Sequence, residues 1–284
     1  MQRRFTTISL RNPALATLWL VAICVFGAVD FGPPIGSRFP EINLLGPKGA
    51  VVLLYDPAHA KLQLAELEQH RPAFQKLGLG LATMQNFAGH AARPGWIVLD
   101  PKGTVVAKYF EDDASQSYTS AALLLHRFGW TPPEAPREVE GKQLTATIGA
   151  SNSKVAPGQR VALTVDIDLQ PDMHVYAPGV EGYIPIDWKM ENSDTALVHA
   201  PEYPRAEKLY LKAIDETVPA YRSHFRLIRD ITIPPQDKLN SSLDAAGHFA
   251  VNSSLRYQAC DARVCYIPQT LPLQWTFAVQ APDK

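Results

Sequence analysis

Cysteine is scarce in this chain: three residues among 284. Cys24 lies in an apolar run near the amino terminus, which leaves only Cys260 and Cys265 for thiol chemistry in the rest of the chain. An excess of one charge is also missing. Lys and Arg number 27 against 28 Asp and Glu, for a net charge of −1. Without a basic surplus, nucleic acid and anionic lipid are poor candidates for the main partner. Internal repeats and low-complexity tracts are absent, and no long helical pattern appears beyond Leu144. Proline is plentiful, at 24 residues, and hydrophobic residues make up 46%. Such a chain is globular, rich in loops and long enough for two cores.

The amino terminus has the texture of an export signal. Arg3, Arg4 and Arg11 precede an uncharged stretch from Pro13 to Val29. That stretch is short for a spanning helix of about 20 residues and long for a signal core of about 7–15. No small-x-small cleavage site follows, and bulky Ile23 before Cys24 argues against a lipoprotein box. Residues 1–32 are therefore expected to be a signal peptide or a membrane anchor; the bland alternative is a buried helix of a cytosolic domain. Basic residues ahead of the apolar run place the remainder outside the cytoplasm, with membrane contact only through this segment. A periplasmic or other extracytoplasmic location permits disulfides.

Residues 33–130 have an α/β pattern. Ala50–Tyr55 is a short apolar run expected to be a buried strand, and Lys61–Leu77 has helical spacing with Pro72 expected to kink or split it. Gly80–Met84 is a further strand. Trp96–Asp100 and Thr104–Phe110 flank Asp100-Pro-Lys-Gly103, a turn signal, and Ser117–Phe128 is a final helix. Thr131-Pro-Pro-Glu-Ala-Pro136 opens a proline-rich linker over residues 131–139. Residues 140–282 then alternate in short strands, including Leu144–Ile148, Arg160–Leu169, Ala196–His199, Ala220–Arg229, Gly247–Gln258 and Thr270–Val279. The expected fold is two domains: α/β, then an all-β immunoglobulin-like sandwich.

Cys260 and Cys265 flank a four-residue polar loop, Asp261-Ala-Arg-Val264, and each side reads as a strand. Facing residues of an antiparallel pair stand about 4.5–5.5 Å apart, within disulfide reach. Three readings are open. A structural staple closes too short a loop to remove more than about 2 kcal/mol of unfolded-state entropy. A zinc site needs two further ligands, and His174, His199, His224 and His248 are scattered over different strands. The third reading is a reversible redox pair. Asp261 beside Cys260 should disfavour its thiolate, Arg263 should favour one, and Tyr257 and Tyr266 should partly cover the pair.

Two resemblances bear on these alternatives. Ile35-Gly-Ser-Arg-Phe-Pro-Glu-Ile42, Val51-Val-Leu-Leu-Tyr-Asp-Pro57, Glu66 and Pro94-Gly-Trp-Ile-Val-Leu-Asp-Pro-Lys-Gly103 resemble the thioredoxin-like fold in its peroxiredoxin and redoxin branch. The family's reactive cysteine would fall at Ala58-His-Ala-Lys61, where there is none, so the resemblance implies a scaffold or docking surface. Pro94 matches the family's cis-proline position. His59 and His70 are the polar residues nearby, and solvent-facing roles suit them better than ligation.

Tyr257-Gln-Ala-Cys-Asp261, followed by Cys265-Tyr-Ile-Pro268, resembles the N-terminal periplasmic domain of the bacterial thiol:disulfide interchange protein DsbD. Met173-His-Val-Tyr-Ala-Pro178, Pro201–Glu207 and Val218–Tyr221 extend the likeness over about residues 140–280. The resemblance implies an immunoglobulin-like domain passing reducing equivalents through a cysteine pair. Cys265 would attack and Cys260 resolve. Tyr176 and His174 would stand nearby, and a cap loop would fall at Lys208–Lys212 or at Gly179–Tyr183. The loop between the cysteines is one residue shorter than the family's common form. Implied partners are thioredoxin-like or other extracytoplasmic redox proteins, including a separate membrane electron donor, with no cofactor and no metal. The contrasting expectation is a non-catalytic binding or scaffold protein whose disulfide is a staple.

Overall fold

A computed structural model describes residues 32–39, 45–55, 61–85, 95–110, 118–130, 136–212 and 215–280. The amino-terminal segment with Cys24, the stretch containing His59, Pro94 and most of the proline-rich linker lie outside the described residues. Phe31–Lys284 make one compact unit.

The first part runs β1 (Ala50–Tyr55), α1 (Lys61–Lys76), β2 (Gly80–Gln85), β3 (Gly95–Leu99), β4 (Val105–Phe110), β5 (Tyr118–Thr119) and α2 (Ala121–Arg127). Strands order as β2-β1-β3-β4, with β1 parallel to β2 and antiparallel to β3. Ala50–Leu54 and Gly95–Leu99 are buried throughout, as continuous apolar runs must be when both sheet faces are covered. Leu67 and Phe74 sit seven residues apart on one face of α1 and enter this core. The helix passes through Pro72 without a break, against the expectation of a split. The missing Pro72 N–H removes one intrahelical bond, while Leu67 and Phe74 stay anchored on either side of it.

The expected helix over Ser117–Phe128 is shorter than its apolar pattern implies. Ser120 caps it, accepting from Leu123 N at 2.9 Å, and Tyr118–Thr119 instead form a strand parallel to Gln159–Arg160. Ala121–His126 are all buried, because α2 is covered on every side.

The second part is β apart from a short α-helix and the 3-10 turn that continues it. Its strands are β6 (Arg137–Glu140), β7 (Leu144–Ala150), β8 (Lys154–Val155), β9 (Gln159–Leu169), β10 (His174–Tyr176), β11 (Asp187–Lys189) and β12 (Leu197–Glu202). They continue as β13 (Glu207–Leu211), β14 (Glu216–Arg222), β15 (His224–Thr232), β16 (His248–Tyr257), β17 (Ala259–Cys260) and β18 (Gln269–Val279), with α3 (Gln236–Leu239) between β15 and β16. One sheet orders β12-β15-β9-β7-β6, a second β11-β16-β18-β8, and a third β13-β14-β10-β17. The first two share a core: Val161, Leu163, Val165 and Leu227 on one side, Val251, Leu255, Leu273 and Trp275 on the other. Alternation sets this up. In β18, Leu271, Leu273, Trp275 and Phe277 are buried while Thr270, Pro272, Gln274 and Thr276 are exposed. The single strand expected over Ala220–Arg229 is two strands, broken at Ser223, whose φ of +58° turns the chain.

The two parts are joined by more than a linker. β5 pairs with β9, and Trp96 Nε1 donates to Thr119 O at 2.8 Å. Asp230, nearly fully buried on β15, accepts from Arg127 of α2 at 2.9 Å and from Arg160 of β9 at 3.0 Å. Glu66 of α1 accepts from Asn152 Nδ2 at 3.3 Å, and burial pushes its carboxyl pKa up to about 7.

Candidate functional site

At Gln258 the chain leaves one sheet for another. β16 ends at Tyr257, opposite Gln269, and Ala259–Cys260 join β10 instead. Gln258 Nε2 donates to Tyr266 O at 2.9 Å and Tyr266 N donates to Ala259 O at 2.9 Å, so both ends of the intervening turn are tied down. Here the expected strand–loop–strand hairpin is corrected. Cys260 closes a two-residue strand, Cys265 meets it as an isolated bridge, and regular strand resumes only at Gln269.

The turn organises itself around Asp261. Its backbone N–H donates to Val264 O at 3.0 Å. Its carboxylate accepts from Val264 N at 2.8 Å, from Arg263 N at 2.7 Å and from Tyr266 Oη at 3.1 Å. Those donors favour the charged form, led by Val264 N–H, and hold the Asp261 pKa below the usual carboxylate range. The same bond pushes the Tyr266 hydroxyl up.

Cys260 and Cys265 form a disulfide with a Cα–Cα distance of 4.0 Å. Its two sulfurs sit in different surroundings. Cys260 is 1% exposed and packs with Tyr176 and Val218, while Cys265 is exposed between Val264 and Tyr266. Val180 and Tyr183 from one side and Leu209 and Leu211 from the other pack against the Cys260 cluster. Both segments considered for a cap therefore reach the disulfide's surroundings, Lys208–Leu211 as part of strand β13. Tyr176 Oη stands 3.8 Å from Cys265 Sγ, and its ring packs on Tyr183 at 4.3 Å. Tyr183 donates to Glu216 at 2.6 Å, a bond that pushes its own pKa up to about 12. Burial, followed by the Glu216 charge, raises the Tyr176 hydroxyl as well.

His174 faces Cys260 across the β10–β17 ladder and faces Arg222 on its other side. Arg222 pairs with Glu207 at 2.6 Å. The cleft beside the disulfide, about 940 Å³, is lined by His174, Tyr176, Tyr183, Arg222, Arg263 and Cys265, among others. The structure thus brings Tyr176, His174, Asp261, Arg263 and Tyr266 together around the pair. Tyr257 stands apart: it is fully buried in the main core, and its hydroxyl donates to Lys142 O at 2.8 Å. Arg222 and Glu207 were not legible in the sequence, where nothing marks them off from other charged strand residues.

The three other histidines considered as zinc ligands lie elsewhere. His199 pairs with Thr232, His224 with Asp168, and His248 lies 3.6 Å from Asp244. Among the described residues no three His, Cys, Asp or Glu side chains gather as a metal site would require.

The family model for the N-terminal domain of thiol:disulfide interchange protein DsbD matches residues 142–274, which include the whole cysteine turn. Among solved structures, the N-terminal periplasmic domain of ScsB from Proteus mirabilis aligns at 15% identity and a TM-score of 0.31. That alignment covers 51% of this chain and 49% of the other, so the chain spans about half the length of that relative. No curated protein matches the chain.

Proposed function

We propose that this protein carries out thiol:disulfide exchange outside the cytoplasm, with Cys265 as the attacked or attacking sulfur and Cys260 as the resolving one. The observation that carries this reading is the asymmetry of the pair: one sulfur is exposed beside a cleft and its partner is 1% exposed. Exchange proceeds through a mixed disulfide, and only an exposed sulfur admits the in-line approach of another protein's sulfur. The match of residues 142–274 to the DsbD N-terminal domain supports the same chemistry and an extracytoplasmic location. Thioredoxin-like proteins are suitable partners, and a separate membrane protein would supply electrons.

The staple reading is weakened by the turn itself. Asp261 and the backbone bonds to Val264 and Tyr266 already close it. On this account the immunoglobulin-like part is the reactive module. Residues 33–130 serve as a cysteine-free thioredoxin-like scaffold, a reading supported by the strand order β2-β1-β3-β4 with α1 between β1 and β2.

Replacing one cysteine at a time tests the assignment. Cys260→Ala should trap a stable mixed disulfide through Cys265 when the reduced protein meets an oxidised thioredoxin-like protein, whereas Cys265→Ala should trap little. Equal trapping by both variants, or none by either, would contradict it.

A further inference from the structure

Among the described residues of this site, His174 is a buried side chain with an unmet bond. It is 5% exposed, and its Nε2 has no hydrogen-bond partner. A buried imidazole nitrogen left unpaired is costly, on the order of 1–3 kcal/mol. An unmet acceptor here is what a donor present only in the reduced state would leave behind. In the disulfide, Cys260 Sγ has no proton to donate; after reduction, a thiol appears on the residue that faces His174 across the ladder. Facing side chains of an antiparallel pair lie on the same side of the sheet, with Cβ atoms about 4.5–5.5 Å apart.

We infer that His174 accepts the proton of the Cys260 thiol and so generates the resolving thiolate. The inference rests on the exchange reading above and adds the group that makes its second step possible. A bare thiolate at a site 1% exposed is poorly solvated and needs a compensating positive charge. A neutral imidazole that takes the proton supplies that charge in the same step. Burial, then the Arg222 charge, holds the His174 pKa below the ordinary histidine value, which favours the neutral ring, the form that can accept a proton. Its edge-on contact with Tyr176, ring centres 5.3 Å apart, fixes the ring beside the pair. His174 also lines the cleft, which gives the proton a way out.

In the reduced protein, the Cys265 thiolate attacks a disulfide of a partner protein. A Cys265–partner bond forms, the partner's disulfide breaks, and its second sulfur leaves as a thiolate. Cys260 gives its proton to His174 and attacks Cys265 Sγ. The Cys260–Cys265 bond forms, the bond to the partner breaks, and the electron pair leaves on the partner's sulfur. The partner gains two electrons as a dithiol, taking one proton from solvent and one by way of His174.

The charged and titratable groups around His174 are Arg222 from β14, Glu207 paired with it from β13, Asp261 and Arg263 from the turn, and Tyr176 on its own strand. Among these His174 alone is an imidazole.

The test uses the reduced full chain and 5,5′-dithiobis(2-nitrobenzoate), an aromatic disulfide that releases a coloured thiolate at each step. The first release reports Cys265 attack and the second reports resolution by Cys260. His174→Phe and His174→Gln should leave the first release within about twofold of wild type. They should slow the second roughly a hundredfold and remove its dependence on an ionisation below the ordinary histidine range. Each variant is first shown to re-form the Cys260–Cys265 disulfide, and His174→Gln alone suffices if the Phe ring does not fit. An unchanged second release, with the wild-type pH profile, would overturn the role of His174. Absence of the first release from wild type would instead overturn the exchange reading itself.

Discussion

At the scale of single residues, the proposed reactivity of the site rests on unequal burial. Asp261 sets the turn that places Cys265 outward and Cys260 inward, and it does so by accepting from two consecutive backbone N–H groups. Asp261→Ala should loosen this turn, lower the effective concentration of one sulfur at the other and make the pair easier to reduce. The check is the midpoint of a glutathione titration, which should move to a less reducing potential. No movement would mean that the disulfide, not Asp261, holds the turn. The cysteine pair was legible in the sequence because only two cysteines lay beyond the apolar run. Two details were not. Tyr257 has the same residue type and spacing as a covering aromatic, yet strand alternation sends it into the core. Arg222 reaches the site only because Ser223 breaks a strand that propensity alone would run straight through.

At the scale of elements, α2 depends on its start. Ser120 Oγ accepts from Leu123 N, and the same hydroxyl lies 3.1 Å from Asn152 Oδ1. Ser120→Ala should therefore cost about 1 kcal/mol of unfolding free energy, the usual worth of a helix cap, measured by urea denaturation. A cost near zero would show that tertiary packing alone fixes the helix start. Sequence alone gives one helix over Ser117–Phe128, because periodicity does not reveal that Tyr118–Thr119 find a strand partner about 40 residues onward. Pro72 was a comparable case. A breaker acts on local bonds, and the buried Leu67 and Phe74 outweigh it. Long alternating strands such as β9 and β18 were plain from sequence, since burial on one face leaves a period of two.

At the scale of the molecule, Glu66 couples the two parts to pH. Its carboxyl pKa is raised from 4.5 to about 7 by burial, offset in part by Asn152 and by the N–H groups that open α2. A raised acid binds its proton more tightly in the folded state. Stability from this group is whole below pH 4.5 and declines as pH rises toward 7. Glu66→Gln removes the ionisation. Its advantage over wild type should grow across that window to about 2 kcal/mol, a figure reduced for the side chain's partial exposure. Denaturation at pH 4.5 and pH 8 checks this, and a constant difference would contradict it. The Arg127–Asp230–Arg160 cluster and the β5–β9 pairing join the same two parts, so both should unfold together in a single transition.

The central claim is that the Cys260–Cys265 disulfide is exchanged in function. The most direct measurement is its reduction potential in the intact protein, by equilibration against a dithiothreitol or glutathione couple. The account predicts a value within the range of protein oxidoreductases, about −120 to −270 mV. A value below roughly −300 mV, where structural disulfides of secreted proteins lie, would make the pair a staple and contradict the account.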